Sequence, residues 1–129
     1  MAIEPIYNGF LPGAHLIDGV GKGGFRFGDM SHRGSILALP DGIQAFAPTS
    51  WAEVTEDSLA PVFALPPGTV ELVIFGCGPF LQPVPPAIRR KLAAAGLRCD
   101  PMGTGAACQT YNILLGEKRR VAAVLLAVE

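Results

Sequence analysis

Apolar and polar positions alternate over short runs in the first half of the chain and settle into longer runs and helical spacings in the second. Residues 15–27 hold Leu16, Ile17, Val20, Phe25 and Phe27 between glycines 19, 21, 23 and 24. Phe25 and Phe27 flank Arg26, the alternation of a strand with one buried face. The glycines mark a tight hairpin or bulge. Strands continue over residues 30–39, clearest at 35–39. Pro40-Asp41-Gly42 is a turn, and Ile43-Gln44-Ala45-Phe46 is the return strand of the same hairpin. Residues 14–54 thus read as mainly antiparallel strands, after an irregular lead-in at 1–13 that carries Pro5, Gly9, Pro12 and Gly13. Trp51 reads as a core plug or as a ligand platform.

Residues 55–129 have a different rhythm. Leu59, Val62 and Phe63 suit a short helix within 55–64, capped by Thr55 or Ser58, with Pro61 tolerated if the helix starts late. Pro66-Pro67-Gly68 ends it. Residues 70–75 then form a continuous apolar run closed by Gly76-Cys77-Gly78, the signature of a strand buried on both faces. A long proline-studded loop over 76–85 leads to Pro86 at the first position of a helix. Ile88, Leu92 and Ala95 make its apolar stripe, Arg89, Arg90 and Lys91 face out, and Gly96 is its C′ residue. A short strand at 97–99 follows. Next comes a second helix with Ala107, Tyr111 and Leu114 on one face, stopped at Gly116, and a final buried strand over 121–128. The order is β-α-β-α-β, whose crossovers are right-handed and place the strands parallel. The fold class is α/β: a central mixed or parallel sheet with an N-terminal antiparallel β-hairpin extension.

Composition narrows the classes of function. At 129 residues the chain is one domain, residues 1–129, long enough to enclose a core. Half of it is hydrophobic and 16% charged, and the formal net charge is −1, from 10 basic and 11 acidic residues. That balance leaves no electrostatic footprint for nucleic acid. The one basic run, Lys118-Arg119-Arg120, follows a helix C-terminus, where cations complement the dipole. Three cysteines, at 77, 99 and 108, have no CxxC spacing, so reduced thiols are expected and neither a disulfide framework nor a zinc site. No signal-peptide pattern opens the sequence, and no apolar run reaches membrane-span length. The expected location is the cytoplasm.

Candidate chemistry concentrates where parallel strands end, at Gly76, Cys77 and Gly78, because open α/β sheets place sites at their carboxyl edges. Cys77, near a helix N-terminus, is either a nucleophile with a lowered pKa or a small buried hydrophobe. The only histidines, His15 and His32, lie in the N-terminal sheet. Thr104 either binds an anion at a helix N-terminus or caps its own helix. Thr110, Tyr111 and Asn112 would line the same cleft. Gly76-Cys77-Gly78 lacks the third glycine of a dinucleotide fingerprint, which leaves Asp100 as an isolated candidate for a ribose contact. The GVGKGG segment lacks the Ser or Thr after lysine that a phosphate loop needs. No metal-ligand spacing appears, and no catalytic residue or cofactor is assigned.

The segment VELVIFGCGPF, Pro83 and Pro85-Pro86, the run from Met102-Gly103-Thr104 through Thr110-Tyr111-Asn112, and the closing Arg120-Val121-Ala122 strand together resemble one small α/β family, an Mth-type domain of unknown function. That family includes the mitochondrial complex I assembly factor 3 and the adipogenesis-associated domain protein. Gly34, Ile43 and Trp51 fit as well, so the resemblance spans residues 6–129. Glu117-Lys118-Arg119-Arg120 departs from the family's Glu-Gly-Arg and leaves open which arginine is the equivalent one. The resemblance implies a three-layer fold. By analogy with the assembly factor, it also implies a non-enzymatic protein that binds another protein, as in respiratory-complex assembly. The alternative is a small-molecule binder or enzyme with its site at the Gly76–Gly78 edge.

Overall fold

A computed structural model describes residues 9–129. Its main sheet has six strands in the order β1-β6-β5-β9-β7-β8: β1 (Leu11–Pro12), β5 (Ser35–Leu39), β6 (Gly42–Phe46), β7 (Leu72–Gly76), β8 (Arg98–Met102) and β9 (Val121–Leu125). β7 lies parallel to both β8 and β9, whereas β9–β5, β5–β6 and β6–β1 are antiparallel. The mixed sheet therefore joins a parallel α/β half to an antiparallel half through the β5–β9 pair. A second antiparallel sheet holds β2 (Gly19–Gly21), β3 (Gly24–Phe27) and β4 (Met30–Arg33).

Both faces of the main sheet are covered, which is why its central strands read as unbroken apolar runs. Val73, Phe75, Leu37, Leu39, Ala122 and Val124 point to one side, onto α1 (Ala60–Phe63) and α2 (Pro86–Ala94). Their neighbours Ile74, Ile36, Ala38, Val121, Ala123 and Leu125 point to the other, onto α3 (Thr104–Gly116) and the inward Phe25 and Phe27 of β3. Helices and small sheet are thus the outer layers of a three-layer α/β fold. On α2 the buried stripe is Ile88 and Leu92, while Ala95 stays exposed.

Several local expectations are met with changes of detail. The glycine-rich segment is a tight hairpin: Gly21 pairs with Gly24 around Lys22 and Gly23, both at positive φ (54° and 78°), the geometry of a type I′ turn. Gly96 occupies C′ of α2 at φ 77°. β8 runs on to Met102 because it is an edge strand, where Pro101 loses no ladder bond. α1 is only four residues long. Thr55 and Ser58 instead bond each other's backbone N–H in the turn before it. α3 ends at Gly116 as expected, but the glycine is its last helical residue and not the left-handed residue beyond it. Lys118 takes the left-handed position (φ 61°), and the Lys118 and Arg119 N–H groups bond back to Leu115 and Leu114. β9 ends at Leu125, short of 128: Leu126 N–H makes a last bond to β7 at its final residue, Gly76, after which Ala127 N–H bonds the Ser35 hydroxyl and Val128 accepts from Gly23. No helix among the described residues is long and apolar enough to cross a membrane.

Candidate functional site

The carboxyl edge of β7 is built from four of the residues singled out above. Gly76 packs so closely that a Cβ there would lie 3.0 Å from Leu125 Cδ2 and 3.1 Å from Thr104 Cα. Gly78 turns the chain at φ 103°. Its N–H donates to Thr104 Oγ1 (3.0 Å), and its carbonyl accepts from Thr104 N–H (2.8 Å). The Thr104 hydroxyl donates in turn to the Leu126 carbonyl at 2.8 Å. Thr104 is fully buried and does not cap α3, whose N-cap is Gly103. Its hydroxyl instead ties together the ends of β7 and β9 at the start of α3. A Cβ on Gly103 would come within 3.2 Å of the Pro79 carbonyl, so the loop lies directly on the helix N-terminus. The edge is filled by the chain itself.

Cys77 is buried on the α2 side of this edge, its thiol directed at the Gln82 carbonyl (3.6 Å) and the Phe75 carbonyl (3.8 Å). Burial pushes the thiol pKa up, outweighing the hydrogen bonds that favour the thiolate. This is the reverse of the lowering a nucleophile requires. Neither histidine assists it: His15 Nε2 donates to the Pro12 carbonyl, and the His32 ring lies against Phe10 at 4.5 Å. Cys108, on α3, is pushed up to about 12 by burial. All three cysteines are free, and only Cys99 is partly exposed. Alkylation of the native protein by iodoacetamide should therefore label Cys99 alone, with Cys77 and Cys108 protected until denaturant is added. Native labelling of Cys77 at the rate of a free thiol would show that the edge opens.

The remaining residues of the sequence-based site go elsewhere. Tyr111 is buried in the core beneath α3, its phenol pushed up to about 12 by burial. Asn112 clamps the N-terminal segment: its Oδ1 accepts from Ile17 N–H and its Nδ2 donates to the Ile17 carbonyl, both at 2.8 Å. Thr110 is half-buried in the middle of α3. Gly76, Cys77, Gly78 and Thr104 come together; Thr110, Tyr111 and Asn112 do not join them. At the opposite, amino-terminal end of β7, Glu71 meets both candidate arginines, Arg119 Nε at 2.9 Å and Arg120 Nη2 at 3.2 Å. The Arg119 hydrogen bond holds its carboxyl below the usual range. Among the described residues no group of three or more His, Cys, Asp or Glu side chains converges on a metal position.

What the sequence pattern did not reveal is the loop's outer surface. Val84 is buried, and Trp51, whose ring meets Phe75 edge-on at 5.5 Å, donates from Nε1 to the Pro83 carbonyl at 3.1 Å. Trp51 is thus half plug and half tether. Between the Thr104–Gly78 pairing and this tether, Phe80 and Leu81 are 74% and 62% exposed. Two large apolar side chains on a loop fixed at both ends form a presented surface, whose only sequence signal is Phe-Leu between prolines without helical or strand period. Such a surface suits contact with another apolar surface better than chemistry.

Comparison with known proteins agrees with this architecture. A Bartonella henselae protein described as an outer membrane protein has a solved structure that superposes with a TM-score of 0.88 at 42% identity, covering 93% of this chain and 100% of that one. An uncharacterized protein of Rhodobacter capsulatus is 40% identical over 123 residues, 95% of this chain and 90% of that one. The NADH dehydrogenase [ubiquinone] 1 alpha subcomplex assembly factor 3 of Bos taurus is 28% identical over 115 residues, 89% of this chain but only 62% of the assembly factor's length. Residues 17–126 match the family described as a protein of unknown function (DUF498/DUF598), and the chain belongs to that family.

Proposed function

We propose that this chain is a non-enzymatic protein-binding factor of the cytoplasm that holds a subunit of a respiratory NADH dehydrogenase during assembly. The observation that carries the reading is the anchored loop with Phe80 and Leu81 at its tip. Gly76, Cys77, Gly78 and Thr104 serve as its buried base. The similarity to an assembly factor supplies the class of partner. Anchoring matters energetically: a loop already ordered in the free protein loses little conformational entropy on docking, so more of the apolar burial appears as affinity.

The test is affinity purification from native extract of the source organism, comparing the wild type with the Phe80→Ser/Leu81→Ser double variant. Both side chains are exposed, so the variant keeps the wild-type melting temperature. Wild type should retain NADH dehydrogenase subunits and the variant should lose them by about tenfold or more, the effect of removing two aromatic and aliphatic anchors from an interface. Equal retention by both proteins, or no such subunit on either, would overturn the proposal.

A further inference from the structure

On the outer face of the small sheet, away from the β7 edge, lies a groove of about 410 Å³. We infer that this groove is a binding site for a small phosphate-bearing anion, held by Arg26, Arg33 and Lys22. Cross-strand register sets the arrangement. Arg26 stands opposite Gly19 on one side and Ser31 on the other, and Arg33 stands opposite Gly24. Directly opposed residues share a face of the sheet, so both guanidinium groups rise from the face opposite the buried Phe25 and Phe27. They are diagonal neighbours, with backbones about 7–8 Å apart. Lys22 adds a third cation at the hairpin tip, exposed in its left-handed turn.

The floor is bare. Gly19 and Gly21 occupy positions where side chains would otherwise fill the space between these cations, and Gly24 lines it with backbone alone. Gly24 has no freedom to be anything else, because a Cβ there would run into the His32 carbonyl. The Arg26 stem lies along Gly19, its Cδ 3.4 Å from where a Cβ would stand.

Charge identifies the occupant. No carboxylate lines the groove, and among the described residues none of the three cations makes an ion pair. Like charges set side by side on a sheet repel and destabilise it. An anion with several oxygens removes that repulsion and meets guanidinium forks bidentately, which is the phosphate geometry. The volume matches a small ester rather than a polymer, and the whole chain's net charge of −1 disfavours a nucleic-acid backbone.

The experiment is a titration of the ¹⁵N-labelled chain with inorganic pyrophosphate at about 20 mM salt, where screening is weak. Saturable amide shifts confined to residues 19–26 and 31–34 are expected. Arg26→Gln/Arg33→Gln should weaken binding at least about tenfold, the loss of charge-assisted hydrogen bonds. Arg89→Gln/Arg90→Gln, on the exposed face of α2, should leave it unchanged. All four side chains are exposed, so neither variant should melt below the wild type, and Arg26→Gln/Arg33→Gln, relieved of like-charge repulsion, should melt at or above it. Overturning results are shifts that never saturate, equal weakening by the two double variants, or the same shifts produced by sodium chloride at matched ionic strength. An oligothymidylate that binds more tightly than pyrophosphate, with affinity rising with length, would assign the groove to a nucleic acid and overturn the small-ligand reading.

Discussion

Thr104→Val should unfold at a markedly lower urea concentration than the wild type while keeping the same dependence on denaturant. The substitution preserves side-chain shape and removes only the hydroxyl. That hydroxyl accepts from Gly78 N–H and donates to the Leu126 carbonyl in a fully buried position. Both backbone groups lose this partner and meet a methyl group in its place. At about 1–3 kcal/mol for each buried group left unsatisfied, the loss from the two is about 2–6 kcal/mol. Against a total stability of about 5–15 kcal/mol for a domain, that is a large fraction. Thr104→Ser keeps the hydroxyl and should recover most of the difference, which separates the hydrogen bonds from packing. A loss in Thr104→Val no greater than in Thr104→Ser would mean the hydroxyl does not join the two strand ends.

That prediction rests on a residue whose role the sequence could not disclose. A threonine one residue after glycine at a helix start reads as a cap because capping is local, within three residues. The partners of Thr104 are 26 and 22 residues away and become neighbours only when β7 and β9 lie side by side. Asn112 makes the same point over 95 residues, reaching Ile17 in the N-terminal segment. By contrast, the central strands were legible because burial on both faces needs only apolar residues in succession, as at Val73, Ile74 and Phe75. The turn at Gly42 and the C′ glycine at Gly96 were legible because their cause is a local backbone conformation. The end of β9 was not, since Leu126 and Ala127 are as apolar as the strand itself. What ends the strand is that its partner β7 stops at Gly76, the last residue Leu126 bonds, and that Ala127 bonds the Ser35 hydroxyl instead of a neighbouring backbone. Residues 110–112 lie apart from the β7 edge for a related reason. Residues 110–112 are adjacent in sequence to a helix that starts at the β7 edge, but the helix carries them along the sheet and turns Tyr111 into the core.

Phe75→Ala should cost a comparable amount and reach the proposed docking loop. Phe75 is fully buried on the face toward α2, and truncating a buried phenylalanine costs about 3–5 kcal/mol through lost apolar transfer and the cavity left behind. The ring is also the edge-to-face partner of Trp51, the single tryptophan of the chain, so fluorescence reports on the site directly. With the ring gone, Trp51 lacks the wall that aims its Nε1 at the Pro83 carbonyl. The folded protein's emission should then shift to longer wavelength as the indole meets more water. The tether would loosen while the Thr104–Gly78 pairing stayed intact, leaving the loop held at one end. Partner capture should therefore weaken in Phe75→Ala even at temperatures where the variant is fully folded and Phe80 and Leu81 are unchanged. Native emission identical to the wild type would show that Trp51 holds the loop without Phe75, and the coupling between core and loop would have to run through Val84 instead.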